Sequence, residues 1–117
     1  MIVPHYAPDA RDRLQELGRP TAALLEANLR AALRSGPWSV RKFRELPVRH
    51  EPPWYAIELG GDYVAVVRRM QDAERGWKLT LAVDVLVAFL VDSSELEALV
   101  EYLKTHDVEY VESPDED

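Results

Sequence analysis

Residues 54–69 read WYAIELGGDYVAVVRR, and this stretch decides the fold. β-Branched and aromatic residues dominate both halves, and Gly60-Gly61 between them accepts the positive φ angles of a tight turn. The stretch therefore predicts a β-hairpin, with one strand over Trp54–Leu59 and its return over Tyr63–Arg69. Immediately upstream, Pro52-Pro53 removes two ladder donors, which excludes that segment from the middle of a sheet.

Upstream of the hairpin the pattern changes to helical periodicity. Pro8 or Asp9 begins the first helix and Gly18 ends it, because proline suits the first helical turn and glycine the left-handed stop. Pro20 opens a second helix that runs to about Ser35. The two apolar stripes are Ala10, Leu14 and Leu17, then Ala22, Leu25, Leu29, Ala32 and Leu33. So short a connection predicts an antiparallel helix pair that packs on the sheet.

Downstream, Trp77 to Val91 alternates with period two and is too long for one ordinary strand. We therefore expect a bend near Asp84 or two strand segments. Asp92 or Ser94 then caps a third helix, each with a glutamate three residues later as a capping box requires, and Val108–Val111 follows as a short last strand. The chain is thus predicted to be a single α+β domain over residues 1–112, with two N-terminal helices on a mainly antiparallel sheet and an acidic, disordered tail over 113–117.

The composition excludes several kinds of site. The 117 residues include no cysteine, so disulfides, thiolate catalysis and cysteine-based zinc sites are impossible. Three histidines fall in three separate segments without ligand spacing, and there is no nucleophile elbow or glycine-rich phosphate loop. We therefore expect no metal, no cofactor and no complete catalytic set.

The longest apolar run is interrupted by Asp84 and is shorter than the roughly 20 residues of a membrane span. With no signal-peptide pattern at the N-terminus, we expect a cytoplasmic protein without a membrane partner.

The net charge of −7 is unevenly distributed. Residues 1–78 carry 13 Lys and Arg against 10 Asp and Glu, a net +3, whereas residues 79–117 carry 1 against 11, a net −10. The basic excess is dense at Arg41, Lys42, Arg44 and Arg49, beside Trp54. The acidic half contains the third helix with Glu97 and Glu101. These opposed surfaces are candidate partner-binding residues.

Each candidate also has a plainer explanation. The basic segment could be an edge strand protected from aggregation by its charge. Trp54 could be a contact hot spot or a core residue, and the acidic helix face could simply be solvated. The acidic C-terminus could also lie against residues 41–49 and screen them.

Two motifs resemble the RelE/ParE toxin superfamily. Tyr6-Ala7-Pro8-Asp9-Ala10-Arg11-Asp12-Arg13-Leu14 is similar to that family's short first strand running into a helix. Gly61-Asp62-Tyr63, within 55–68, resembles its hairpin motif. A helix pair, a basic segment and the hairpin also follow in the same order, so the resemblance covers roughly residues 2–91. It implies either ribosome-dependent mRNA cleavage or inhibition of a topoisomerase. Val64 stands where the nuclease branch often has arginine, and Asp92-Ser93-Ser94 stands where a His/Arg and Tyr cluster is expected.

These features favour a non-enzymatic protein-binding module, a small regulator or inhibitor of toxin-like or phage type. Its partner would be a larger protein or nucleoprotein machine, with nucleic acid itself not favoured. The alternative is a divergent RelE-like ribonuclease that uses Arg49, Arg68 and Arg69 around RNA. A homodimer formed by strand pairing across a two-fold axis remains a third interpretation.

Overall fold

The computed structural model describes residues 2–34, 43–70, 83–106 and 108, and within them the chain has the predicted α+β architecture. Five strands form one sheet in the order β1-β5-β4-β3-β2. In chain order the elements are β1 (Ile2–Tyr6), α1 (Pro8–Leu17), α2 (Arg19–Arg34), β2 (Phe43–Glu45), β3 (Tyr55–Gly60), β4 (Tyr63–Arg69), β5 (Val83–Asp92), a 3-10 turn (Ser93–Glu95) and α3 (Leu96–Thr105).

The predicted hairpin is the centre of the sheet. Tyr55 pairs with Val67, and Gly60 pairs with Tyr63 across the turn. Gly60 and Gly61 have positive φ angles of 88° and 60°, which glycine adopts readily, and Asp62 follows them at 67°. Antiparallel pairing continues outward from β4 to β5 and from β3 to β2, so the sheet is mainly antiparallel as expected.

β1 is an edge strand that pairs in parallel with β5, from Ile2 opposite Val83 to Tyr6 opposite Val87. Local alternation does not predict it, since Pro4 interrupts the strand. An edge position tolerates a proline because the missing N–H need not face a neighbour. The N–H of Ala7 donates to the Val87 carbonyl oxygen at 3.0 Å, and the chain then enters α1.

The sheet has two covered faces, each with its own apolar core. The α1–α2 pair covers one face, where Ala10, Leu14, Leu25 and Leu29 pack on Ile57, Val85 and Val87. The Asn28 side-chain amide donates to the Leu59 carbonyl oxygen at 2.6 Å and ties α2 to the hairpin. The predicted apolar stripes of both helices are therefore the buried ones.

The second face is covered by α3 and by the segment between β2 and β3. Leu96, Val100 and Leu103 of α3 join Leu46, Val48 and Trp54 in this core, on the face of Val66 and Leu86. The sheet is therefore the middle layer of three.

Some expectations need correction or fall elsewhere. β5 runs through Asp84 in register with Val3, and its irregularity lies instead between Val87 and Phe89, opposite Val66 and Val67. Whether the run from Trp77 bends near Asp84 or divides into two segments depends on residues 77–82, which lie outside the described residues. The predicted strand segments over 39–42, 77–82 and 109–111 and the tail 113–117 lie outside the described residues, while Val108 is not in a strand.

Candidate functional site

A groove of about 440 Å³ lies between the end of β2 and helix α3. Its floor is apolar and its rims are charged. The floor consists of Leu46, Pro47, Leu96 and Val100, and the rims carry Arg44, Glu45, Glu97, Glu101 and Lys104, with Ser93 at one end. The groove thus brings together three of the predicted partner-binding residues, from segments about fifty positions apart in the chain.

The first wall follows from the alternation of the edge strand. Phe43 is buried in the core beneath α1 and α2, opposite Ile57. Because successive side chains of a strand point to opposite faces, Arg44 is directed to the other face, where α3 lies. Arg44 is exposed there.

The chain after β2 is held close to the sheet by backbone hydrogen bonds. The Leu46 N–H donates to the Trp54 carbonyl oxygen at 2.9 Å, and the Val48 N–H donates to the Leu46 carbonyl oxygen at 2.8 Å. His50 Nδ1 lies 2.8 Å from the Pro52 carbonyl oxygen. These contacts place Leu46 in the core and leave Pro47 exposed at the groove.

The second wall is α3, whose start is fixed by a capping box. Asp92 accepts hydrogen bonds from the Ser94 backbone N–H and hydroxyl, both at 2.9 Å, and Glu95 Oε1 accepts from the Asp92 N–H at 3.0 Å. The Ser94 backbone N–H, followed by the Ser94 hydroxyl, lowers the pKa of Asp92. The Arg13 guanidinium lies 3.1 Å from Glu95 Oε2 and links α1 to this corner. Of the two predicted caps, Asp92 with Glu95 is the one used, and Ser94 lies inside the turn.

The exposed face of α3 presents its acids along the groove. Glu97 and Glu101 are one helical turn apart, at i and i+4, so they lie on the same side of the helix. Both are exposed, and Lys104 Nζ lies 3.1 Å from Glu101 Oε1. The groove therefore has Arg44 and Glu45 on the β2 wall, two acids and Lys104 on the α3 wall, and an apolar floor between them.

Trp54 does not contribute to a surface. Its side chain is only 1% exposed and belongs to the core under α3, with its ring 5.8 Å from that of His50. The hot-spot interpretation of Trp54 is therefore wrong, and its alternative as a core residue is the correct one. The physical reason is that the chain returns to Leu46 at this point, since the Leu46 N–H donates to the Trp54 carbonyl oxygen. The Trp54 ring therefore lies in the same core as Leu46 and Val48.

Arg68 is likewise buried, with 0% exposure. Its guanidinium stacks over Trp54 at 5.1 Å, and its two terminal nitrogens donate to the carbonyl oxygens of Arg69 at 3.0 Å and Val108 at 2.8 Å. An RNA phosphate cannot reach this group in the described fold. Its assignment as an RNA-binding cation is therefore wrong.

The other predicted residues are not gathered at one place. Arg49 and Arg69 are exposed, Arg49 between β2 and β3 and Arg69 at the end of β4, and neither lines the groove. Arg41 and Lys42 lie outside the described residues. Conversely, Pro47, Leu46 and Lys104 were not predicted as site residues. A proline directly after an edge strand was the available signal for Pro47, because it ends the pairing.

Other kinds of site find no support in the part of the chain that the structure describes. No group of three or more His, Asp or Glu there could hold a metal ion. No described helix is long and apolar enough to span a bilayer.

Compared with known proteins, the chain matches no family model, no curated protein sequence and no solved structure.

Proposed function

We propose that this protein is a non-enzymatic binding module that docks on a larger protein through the groove between β2 and α3. The observation that carries the proposal is the juxtaposition of Arg44 with Glu97 and Glu101 around an apolar floor. Apolar anchoring gives affinity, and the pattern of charges on the two rims fixes the orientation of a partner and excludes wrong partners.

The chemistry of the groove defines its occupant. A partner segment would place apolar side chains on Leu46, Pro47 and Val100. It would carry lysine or arginine on the side facing α3 and an acid on the side facing Arg44. An amphipathic helix or a short extended segment of a protein has this arrangement of apolar anchors and flanking charges. Nucleic acid fits poorly, because phosphates would meet the acidic wall.

The toxin-like or phage-type regulator suggested by the sequence is retained as part of this proposal. The short first strand leading into a helix, the helix pair and the later hairpin are all present in the order that the RelE/ParE resemblance implies. Docking on a macromolecular machine to inhibit or regulate it is the activity that this proposal assigns to the groove. The ribonuclease alternative is weaker because Arg68 is buried under Trp54.

The proposal is tested by tagged co-purification from cells of the source organism at low and high salt, with protein and RNA both identified. We expect a stoichiometric protein partner whose recovery falls as salt is raised, because rim charges are screened. Arg44→Glu and Glu97→Lys should each remove that same partner at low salt. Arg19→Glu is the matched control, because Arg19 is exposed on the helix layer across the sheet.

Each variant must also be folded for the test to count. Arg44, Glu97 and Arg19 are exposed, so their replacement should leave the circular dichroism spectrum unchanged. The free energy of unfolding measured in urea should change by no more than about 0.5 kcal/mol. A partner retained by both groove variants, or lost equally with Arg19→Glu, would overturn the proposal. Recovery of ribosomes or RNA instead would favour the ribonuclease alternative.

A further inference from the structure

We infer that the outer face of α2 is a second docking surface, which takes an acidic amphipathic helix of another protein. This surface is separate from the groove, because α2 and α3 cover opposite faces of the sheet. It serves a partner of its own, so its test does not depend on what the groove binds.

Two sides of α2 are apolar, although only one of them packs on the sheet. The buried side consists of Leu25, Leu29, Ala32 and Leu33. On the side that faces away from the sheet, exposed apolar residues recur at helical spacing, namely Pro20, Ala23, Leu24, Ala27 and Ala31. A helix that is apolar around most of its circumference is normally covered on both sides, so the outer stripe is the side that a partner covers.

The other two helices have charged outer sides. The exposed polar residues are Asp9, Asp12, Gln15 and Glu16 on α1, and Glu97, Glu101 and Lys104 on α3. These side chains are well hydrated, whereas the stripe on α2 keeps apolar surface in contact with water. Leu24 is 61% exposed, more than any other large apolar side chain among the described residues.

Charge determines which kind of segment covers this face. Arg30 and Arg34 are exposed along one flank of the stripe, one helical turn apart. Neither forms a salt bridge with another residue that the structure describes. They lie about 6 Å apart along the helix axis, so carboxylates at positions i and i+4 of a partner helix match their spacing. The flank of the partner that meets them is therefore acidic.

The size of the side chains determines what the partner supplies at the centre of the contact. Ala23, Ala27 and Ala31 stand at i, i+4 and i+8, and such small side chains let another helix approach closely. Because alanine offers few atoms for packing, the partner brings the large apolar side chains, which pack between the alanines and beside Leu24. From Pro20 to Ala31 the stripe is about 17 Å long, which is three turns of a partner helix.

A second copy of the chain fits this face poorly. Two α2 helices paired antiparallel about Ala27 would set Arg34 of one copy beside Arg19 of the other, and a parallel pair would set Arg30 and Arg34 against themselves. Like charges placed in this way are destabilising. A lipid surface also fits poorly, because interfacial helices bury bulky Trp, Phe and Leu side chains and this stripe has a single leucine.

The test uses an eighteen-residue helical peptide with leucines along one side and glutamates at i, i+4 spacing on one flank, labelled with a fluorophore. We expect saturable binding by fluorescence anisotropy, with the Leu24, Ala27 and Ala31 amides shifting in ¹H–¹⁵N spectra. Ala27→Gln, which blocks the close approach, and Arg30→Glu/Arg34→Glu should each weaken binding at least tenfold. With lysine in place of glutamate, the peptide should bind the wild type at least tenfold more weakly, and should bind Arg30→Glu/Arg34→Glu more tightly than it binds the wild type.

Two control variants change the opposite side of the molecule. Tyr102→Ala removes an exposed apolar side chain from α3 and Arg44→Glu reverses an exposed cation at the groove, so both should leave peptide binding unchanged. All the substituted residues are exposed, so each variant should keep the wild-type circular dichroism spectrum. Absence of binding to the wild type, equal binding of the two peptides, amide shifts confined to the groove, or wild-type protein that dimerises or binds phosphatidylserine vesicles through residues 20–34 would overturn the inference.

Discussion

Replacement of Arg68 by alanine should be one of the most destabilising single changes on the sheet. Its guanidinium donates to the carbonyl oxygens of Val108 and Arg69 at 2.8 and 3.0 Å and stacks over Trp54 at 5.1 Å. Hydrogen bonds from a charged donor contribute about 1.5–3 kcal/mol each, and a desolvated cation–π contact contributes about 2 kcal/mol. Part of that gain offsets the cost of burying the charge, so we expect Arg68→Ala to lower the free energy of unfolding by about 3–4 kcal/mol.

The neighbouring arginine supplies the control. Arg69 is exposed, so Arg69→Ala should change the free energy of unfolding by no more than about 0.5 kcal/mol. Arg68→Met keeps much of the packing against Trp54 and should cost about 1–2 kcal/mol, less than the alanine variant. Urea unfolding followed by tryptophan fluorescence and circular dichroism measures all three. Equal costs for Arg68→Ala and Arg69→Ala would refute the buried, structural role of Arg68.

Two further predictions concern the helix layer. Burial, then the Glu26 carboxylate, raises the pKa of Tyr6 to about 12, above its usual 10.0, so the folded state retains the phenol proton that the unfolded chain loses. Stability should therefore be intact below pH 10 and fall by about 1–2 kcal/mol between pH 10 and 12, after discounting for the partial exposure of the side chain, and Tyr6→Phe should lack this loss in urea titrations across that range. Asn28→Ala should cost about 1 kcal/mol, since it removes the hydrogen bond to the Leu59 carbonyl oxygen; an unchanged urea midpoint would show that this bond contributes nothing.

The parts of the fold that the sequence predicted are those encoded locally. The stripes of α1 and α2 and the Gly60-Gly61 turn depend on residues within a few positions of one another, so their periods are visible in the chain. β1 has five residues and a proline, and its pairing with β5 joins positions about eighty apart. A pattern within a few neighbouring residues cannot predict a contact between such distant positions. Only the family resemblance suggested a first strand.

The errors at the site have an equally specific cause. The ribonuclease alternative needs Arg68 at the surface to meet RNA, although Arg68 lies on the same face of β4 as Val64 and Val66, and that face is buried. Period two alone would have placed it inside. The groove itself could not be predicted, because its walls are formed by β2 and α3, which meet only after the sheet has assembled.

The central claim, that the groove between β2 and α3 is the docking site, is tested most directly by one comparison. The partner recovered with the wild-type chain is purified, and its dissociation constant is measured for Arg44→Glu, Glu97→Lys and Arg19→Glu at fixed low salt. The account predicts that each groove variant binds at least tenfold more weakly while Arg19→Glu binds like the wild type. Unchanged affinity in both groove variants, with all three proteins folded, would contradict it.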